Sequence, residues 1–272
     1  MNECAESCAF DTGRRVDCDQ ERRPVAAAKR YWLYDGLMAV PQQEPEYWRN
    51  VRLEPRTEGG WAIRLRGFGP AGILTMAAIP FAGTALIGAI LVLLWTRLTR
   101  TPLREIGFVR PRKWMRAVAT GILFGVVFKL VMKAVVMPLL GADPVNRTYH
   151  YLAGDAAATA FMALFVIVSG GFGEETIYRG FLFERFSRLL GRAGAKPLVV
   201  LLTTLWFAAM HLPDQGIAGV EQATVTGLVF GTVFAMTGSL FVPMFAHASF
   251  DLTAIVIIYC DIEARVAHLV FR

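Results

Sequence analysis

Apolar residues fall in long blocks along this chain, and polar residues enter those blocks in pairs spaced by four. Residues 1–69 hold no sustained helix or strand period; they mix arginine, glutamate, proline and scattered aromatics such as Tyr31-Trp32-Leu33-Tyr34. Six apolar segments follow. The first runs from about Gly72 to Trp95 without a charge, long enough to span a bilayer. The second runs from about Ala117 to Leu140 and contains Lys129 and Lys133. The third starts near Ala156, passes through Ser169-Gly170-Gly171-Phe172-Gly173, and ends near Gly191. There the glycines allow a kink or a close helix approach. The fourth covers about Pro197 to His211, the fifth Ala218 to Met236, and the sixth Leu240 to Tyr259. Gly227 and Gly231 give the fifth a small-residue face suited to tight packing. The pattern predicts an all-α polytopic membrane protein, a bundle of about six transmembrane helices enclosing a polar intramembrane pocket. It also predicts two regions: a mostly disordered polar tail over residues 1–70 and a transmembrane domain over 71–272.

Composition agrees with a bilayer. The chain of 272 residues is 55% hydrophobic and 18% charged, with mean hydropathy +0.44, whereas soluble domains carry about 25% charged residues. The net charge of +6 sits in the tail and in loops between apolar blocks, not on a polar surface, so nucleic-acid binding is not expected. Cys4 and Cys8 have metal-like spacing, but nothing completes a tetrahedral set with them, and Cys18 and Cys260 stand apart. The tail shows no signal peptide; Met38 is an alternative start. The loop with Arg97, Arg100, Arg104, Arg110, Arg112, Lys113 and Arg116, and the stretch Arg179 to Lys196, are basic and expected in the cytoplasm. Strict alternation of six crossings then puts both termini outside. That conflicts with the arginines of the tail, so one segment fails to cross or the tail is an artefact of the start.

Three neighbouring segments carry the polar pairs. Glu174 and Glu175 precede Arg179, Phe207 precedes His211, and His247 precedes Asp251. Spacing by four stacks two side chains on one helix face. Each element alone has an ordinary explanation. The glutamates suit a solvated helix start beside Arg179, His211 suits an interface, and His247 with Asp251 suits a buried hydrogen bond. Together they are hard to ascribe to chance, since each intramembrane charge costs about 2.5–3.5 kcal/mol on insertion scales. One glutamate held by Arg179 beside one left free is how a catalytic carboxylate stands next to a structural ion pair. Lys129 and Lys133 can snorkel, face a cavity or meet lipid headgroups.

Glu174-Glu175-Thr176-Ile177-Tyr178-Arg179 resembles the EExxxR motif of the CPBP (Abi) family, intramembrane proteases related to the type II CAAX prenyl endopeptidase. Phe207 to His211 is similar to its FxxxH motif and His247 to Asp251 to its HxxxN/D motif, in the family's order; the Arg104 to Phe108 stretch is also family-like. The resemblance implies peptide-bond hydrolysis in the membrane, with access from the cytoplasm of a cell membrane. It implies Glu174 as the water-activating base assisted by His211, Arg179 as the holder of Glu175, and His247 with Asp251 at the oxyanion. Asp251 departs from the asparagine of the eukaryotic enzymes, which puts the oxyanion role in doubt for it. Zinc held by Glu174, His211 and His247 and a metal-free route both remain open. The implied partners are the lipid bilayer and a peptide or protein substrate, lipidated or not. Two rivals stand beside this reading: a non-catalytic scaffold or bacteriocin-immunity-type protein binding through the same pocket, and a small transporter.

Overall fold

The computed structural model describes residues 60–191 and 196–271, so the tail reading, its three cysteines and Met38 lie outside the described residues. Among the described residues all regular structure is helical. Helix α1 is Gly60–Arg66; α2 is Pro70–Ala78, extended by a 3₁₀ turn Ile79–Phe81; α3 is Ala85–Leu98. Four helices are long and apolar enough to cross a membrane: α4 Trp114–Leu139, α5 Ala156–Leu190, α7 Leu212–Thr237 and α8 Phe241–Tyr259. Helix α6, Lys196–Met210, is shorter, and α9, Glu263–Ala267, closes the described chain.

The first apolar segment is not one spanning helix. Pro80, and Gly83 at φ 92, break it, and Thr84 starts a new helix by accepting from Ile87 N at 3.4 Å. The two halves fold back as a hairpin: Met76 and Ile79 pack in one cluster with Val92 and Trp95, and Trp95 Nε1 donates to Leu65 O at 3.2 Å. Its tip meets the middle of α5, where a Cβ on Gly173 would lie 2.8 Å from Ala85 O. Length and hydropathy alone had favoured a span; a proline and a left-handed glycine in its middle overrode them.

Both ends of the hairpin therefore lie at one end of the bundle, here called the basic face. Glu105 ties that face together: its Oε2 accepts from Arg66 Nη2 at 2.7 Å and from Arg188 Nη2 at 2.6 Å, and Arg188 also pairs with Glu184. Arg185 donates to Arg66 O and Gly67 O at 2.8 and 3.0 Å, closing the last carbonyls around α1. Leu240 N reaches Gly107 O at 2.9 Å. At the opposite face Glu263 Oε1 accepts from Lys133 Nζ and Asn146 N, both at 3.0 Å, and Gly154 N donates to Tyr259 O at 3.0 Å. The chain thus enters at the basic face, and α4 to α8 run alternately between the faces. Residues after Tyr259 lie at the opposite face. With the first segment a hairpin, residue 60 and the residues after Tyr259 lie at opposite faces.

Close backbone approaches set the packing. A Cβ on Gly121 would meet Phe245 Cβ at 2.6 Å, and one on Gly125 would overlap Ala246 O, so α4 lies directly on α8. Gly227 and Gly231 face Thr204 and Val200 of α6 at 2.7 and 3.1 Å, the tight contact their spacing predicts. The glycines of α5 do not break it. Its middle, Val166–Leu182, winds as a π-helix, a form usually confined to single turns and frequent at functional sites.

Candidate active site

The π-helical stretch carries Glu174, Glu175 and Arg179, and packs against α3 and α8 through its glycines. Gly171 faces α8, where a Cβ would meet Ala248 Cβ at 2.8 Å, and a Cβ on Gly170 would stand 2.8 Å from Asp251 Oδ2. Small residues at these points let the carboxylates of α5 approach the polar side chains of α8.

Glu175 is fully buried, and its Oε1 accepts twice: from Arg179 Nη1 at 2.8 Å and from His247 Nδ1 at 2.6 Å. The predicted Glu175–Arg179 pair is present, but the structure gives Glu175 a second partner from another helix. Since a carboxylate accepts, His247 Nδ1 carries a proton and its Nε2 turns the other way. There it stands 3.6 Å from Glu174 Oε2 and 3.5 Å from Asp251 Oδ2. The ring is oriented by Glu175 and not by Asp251, the partner suggested by spacing on its own helix. Glu175 Oε2 is buried with no hydrogen-bond partner.

His211 lies between α6 and α7, and its Nδ1 contacts Phe207 O at 2.8 Å. A carbonyl can only accept, so Nδ1 is the donor, and the Nε2 lone pair of the neutral ring is free for a proton or a ligand. Phe207 explains its own place in the pattern. Its ring lies 4.5 Å from the His211 ring, 6.2 Å from the His247 ring, and 4.5 Å from the Arg179 guanidinium. Phe230 closes the other side of His247 at 5.3 Å.

A cavity of about 160 Å³ is lined by Glu174, His211, His247 and Asp251 together with Phe207 and Lys129. The Glu174 and Asp251 side chains are 22% and 26% exposed, while Glu175 and Arg179 are at 0% and 2%. The six residues named from the sequence thus divide into a sealed pair, Glu175 and Arg179, a cavity-facing trio, Glu174, His211 and Asp251, and His247 at the boundary with one ring nitrogen on each side. As for zinc, Glu174, His211 and His247 do not draw together as a metal set: among the described residues no group of three His, Cys, Asp or Glu side chains is placed to hold a metal ion.

Of the three readings open to Lys129, the structure has it face the cavity, and sequence reasoning passed over several further neighbours. Lys129 does not snorkel; it is 7% exposed, with Nζ donating to Gln222 Oε1 at 2.9 Å and standing 4.6 Å from the Phe250 ring. Tyr149, Asn146 and Gln215 also line the cavity, and Gln215 Nε2 donates to Tyr149 Oη at 3.3 Å. Burial and nearby carboxylates hold the Tyr149 phenol above its ordinary pKa, so it stays a hydroxyl. Only for the Glu184–Arg188 pair was there a signal, the four-residue spacing; the others come from loops and long-range packing.

Fold and site together define a class: a multi-pass, all-α membrane protein whose helices bring carboxylates and imidazoles onto one cavity. Residues 156–253 match the family model of type II CAAX prenyl endopeptidase Rce1-like proteins, consistent with the family its motifs resemble. The matched stretch contains all three motifs, and at the family level it supports a CAAX-type membrane protease. No curated protein and no solved structure matches the chain.

Proposed function

We propose that this protein is an intramembrane endopeptidase in which Glu174 activates the attacking water. The observation that carries this is the division of two adjacent glutamates around one histidine. Glu175 is spent on Arg179 and His247 Nδ1, while Glu174 faces the cavity near His247 Nε2 and shares it with His211. A gap of 3.6 Å is too long for a direct hydrogen bond and suits a bridging water. Glu174, with His211 Nε2 as a second acceptor, takes a proton from that water as its oxygen attacks the peptide carbonyl carbon. His247, held by Glu175, presents Nε2 to the developing oxyanion when protonated. The proton taken by Glu174 passes to the leaving amine. Asp251, a carboxylate where an amide would donate, adds a negative charge 3.5 Å from His247 Nε2 at the cavity wall. The substrate is a membrane-associated peptide, lipidated or not. The sealed ion pair and the cavity together form the polar pocket of the helix bundle, in a domain that runs from about residue 71.

The test is proteolysis by purified protein in detergent against a quenched farnesylated CAAX peptide and a mixed peptide library. Glu174→Gln and His211→Ala are expected to lose about 10²–10⁴-fold in rate, the range for a general base, with unchanged elution on size exclusion. Intact cleavage in Glu174→Gln sinks the assignment. A chelator arm decides whether a metal takes part. Well-folded wild type that cleaves nothing points to the binding scaffold instead.

A further inference from the structure

The six cavity residues Asn146, Tyr149, Leu152, Gln215, Gln222 and Lys129 belong to one end of the bundle. Asn146, Tyr149 and Leu152 sit in the connection between α4 and α5, Gln215 lies in the first turn of α7, and Lys129 stands in the later half of α4. A neighbouring cavity of about 230 Å³ shares Lys129, Asn146, Gln215 and Gln222 with the first, and continues to Asp143, Arg147 and Glu263. In the other direction the way is shut. Between the site and the basic face lie Tyr178, Phe181, Leu182 and Phe207 in one buried cluster, and Phe183, Phe234 and Leu240 in a second. Phe181, Leu182, Phe183 and Leu240 have 0% exposure. Among the described residues the polar lining of the site therefore continues toward the end remote from the basic face.

The two ends differ sharply in lysine and arginine, the residues that set orientation in a membrane. The basic face carries Arg97, Arg100, Arg104, Arg110, Arg112, Lys113 and Arg116 in one connection, and Arg185, Arg188 and Lys196 in the other. Arg64 and Arg66 of α1 join them there. The remote end has Lys133, Arg147 and Arg265, with Lys129 deeper in the cavity, among Asp143, Asp155, Asp214, Asp261 and Glu263. The hairpin made by α2 and α3 removes the only obstacle to putting every basic stretch on one side.

We propose that the catalytic cavity opens at the non-cytoplasmic face of the membrane and takes a peptide segment presented there. This rests on the hydrolase reading for what happens inside the cavity, and sets aside access from the cytoplasm. The cavity suits such a segment: Met162, Val166 and Ile255 offer apolar wall, and Lys129, Asn146 and Gln222 offer donors for backbone or terminal carbonyl oxygens. Substrates are thus exported or outer-leaflet chains with a free, extended stretch near the bilayer.

Two reporters decide the orientation without reference to activity. In one full-length chain Cys4, Cys8 and Cys18 become serine, leaving Cys260, which is exposed at the remote end. In the other all four native cysteines become serine and Arg112→Cys, exposed on the basic face, is added. Both are produced in the plasma membrane of bacterial cells and treated with a membrane-impermeant maleimide. Cys260 is expected to label in intact spheroplasts and Arg112→Cys only in inside-out vesicles. The reverse pattern, or labelling of both from both sides, overturns the proposal. A second arm supplies an impermeant quenched peptide to either side. Cleavage by spheroplasts, absent in Glu174→Gln, is expected; Glu174-dependent cleavage confined to inside-out vesicles overturns the proposal whatever the labels show. The expected labels without cleavage on either side overturn the hydrolase reading while the orientation stands.

Discussion

Glu174 and Glu175 are chemically identical neighbours, and they mark the boundary between two unlike halves of the bundle. On the basic-face side the buried charged side chains are tied to partners: Glu175 to Arg179 and His247, Glu105 to Arg66 and Arg188, and Arg185 to the backbone of α1. Aromatic rings fill the space between, with Trp95 edge-on to Phe181 at 4.9 Å and Phe183 edge-on to Phe234 at 5.0 Å. On the other side the carboxylates of Glu174 and Asp251 are partly exposed, and Lys129 has only a neutral amide as hydrogen-bond partner. One half holds geometry and the other keeps unsatisfied groups for a substrate. The histidine between them belongs to both, with one ring nitrogen in each half.

The sharpest way to break this comparison is to open the dry half. Glu175→Ala removes the acceptor of both Arg179 and His247 and leaves a buried guanidinium unpaired, a change that costs about 3–5 kcal/mol for a broken buried pair. Denaturation in mixed micelles should show that loss. Arg179→Ala should show a similar loss, with the double variant well short of the sum. An additive double variant would mean the pair is not one unit. Phe230→Ala, which strips the face of His247 opposite Phe207 and empties a fully buried site, is expected to cost about 3–5 kcal/mol in the same assay. Both should leave Glu174 chemically competent in whatever fraction remains folded.

A smaller change sharpens the boundary itself. Gly170→Ala places a methyl 2.8 Å from Asp251 Oδ2 and 3.9 Å from His247 Nε2, pushing at Asp251 while touching neither Glu175 nor Arg179. The expected result is a fall in kcat of about tenfold, the effect of about 1.4 kcal/mol in a barrier, with KM and thermal midpoint near those of wild type. A loss of stability without a loss of kcat would mean that Asp251 belongs to the structural half.

The three four-spaced pairs were legible because spacing on one helix is a local property, and the Glu175–Arg179 contact follows from it directly. What spacing cannot show is a partner from another helix. Asp251 is the obvious neighbour of His247 along the chain, yet the short contact is with Glu175, seventy-two positions away. Length and the absence of charge made the first apolar segment a candidate span, whereas Pro80 and Gly83 divide it into two helices. The glycine run of α5 was read as kink or close approach. Each glycine faces a different neighbour, so close approach is what the sequence encodes. Tyr149 and Gln215 became part of the site only through loops and packing that no periodicity records, whereas a cavity-facing Lys129 was one reading of its place inside an apolar segment.

The least effect should come from the rim of the cavity side, and it tests whether openness there is structural slack. Arg147 pairs with Asp143 at 2.8 Å, but its side chain is 86% exposed, and screened surface pairs contribute little. Glu263 differs, because its buried carboxylate gathers Lys133 and Asn146 N and pins the connection that carries Tyr149. Arg147→Ala should therefore leave the thermal midpoint and the cleavage rate unchanged. Glu263→Gln, which keeps shape but weakens two charge-assisted contacts, should lower the midpoint by a few degrees and raise KM more than it lowers kcat. If Arg147→Ala were as damaging as Glu263→Gln, the connection would be held from its exposed side. The cavity half would then be a second rigid unit, and the contrast between the two glutamates would lose its structural basis.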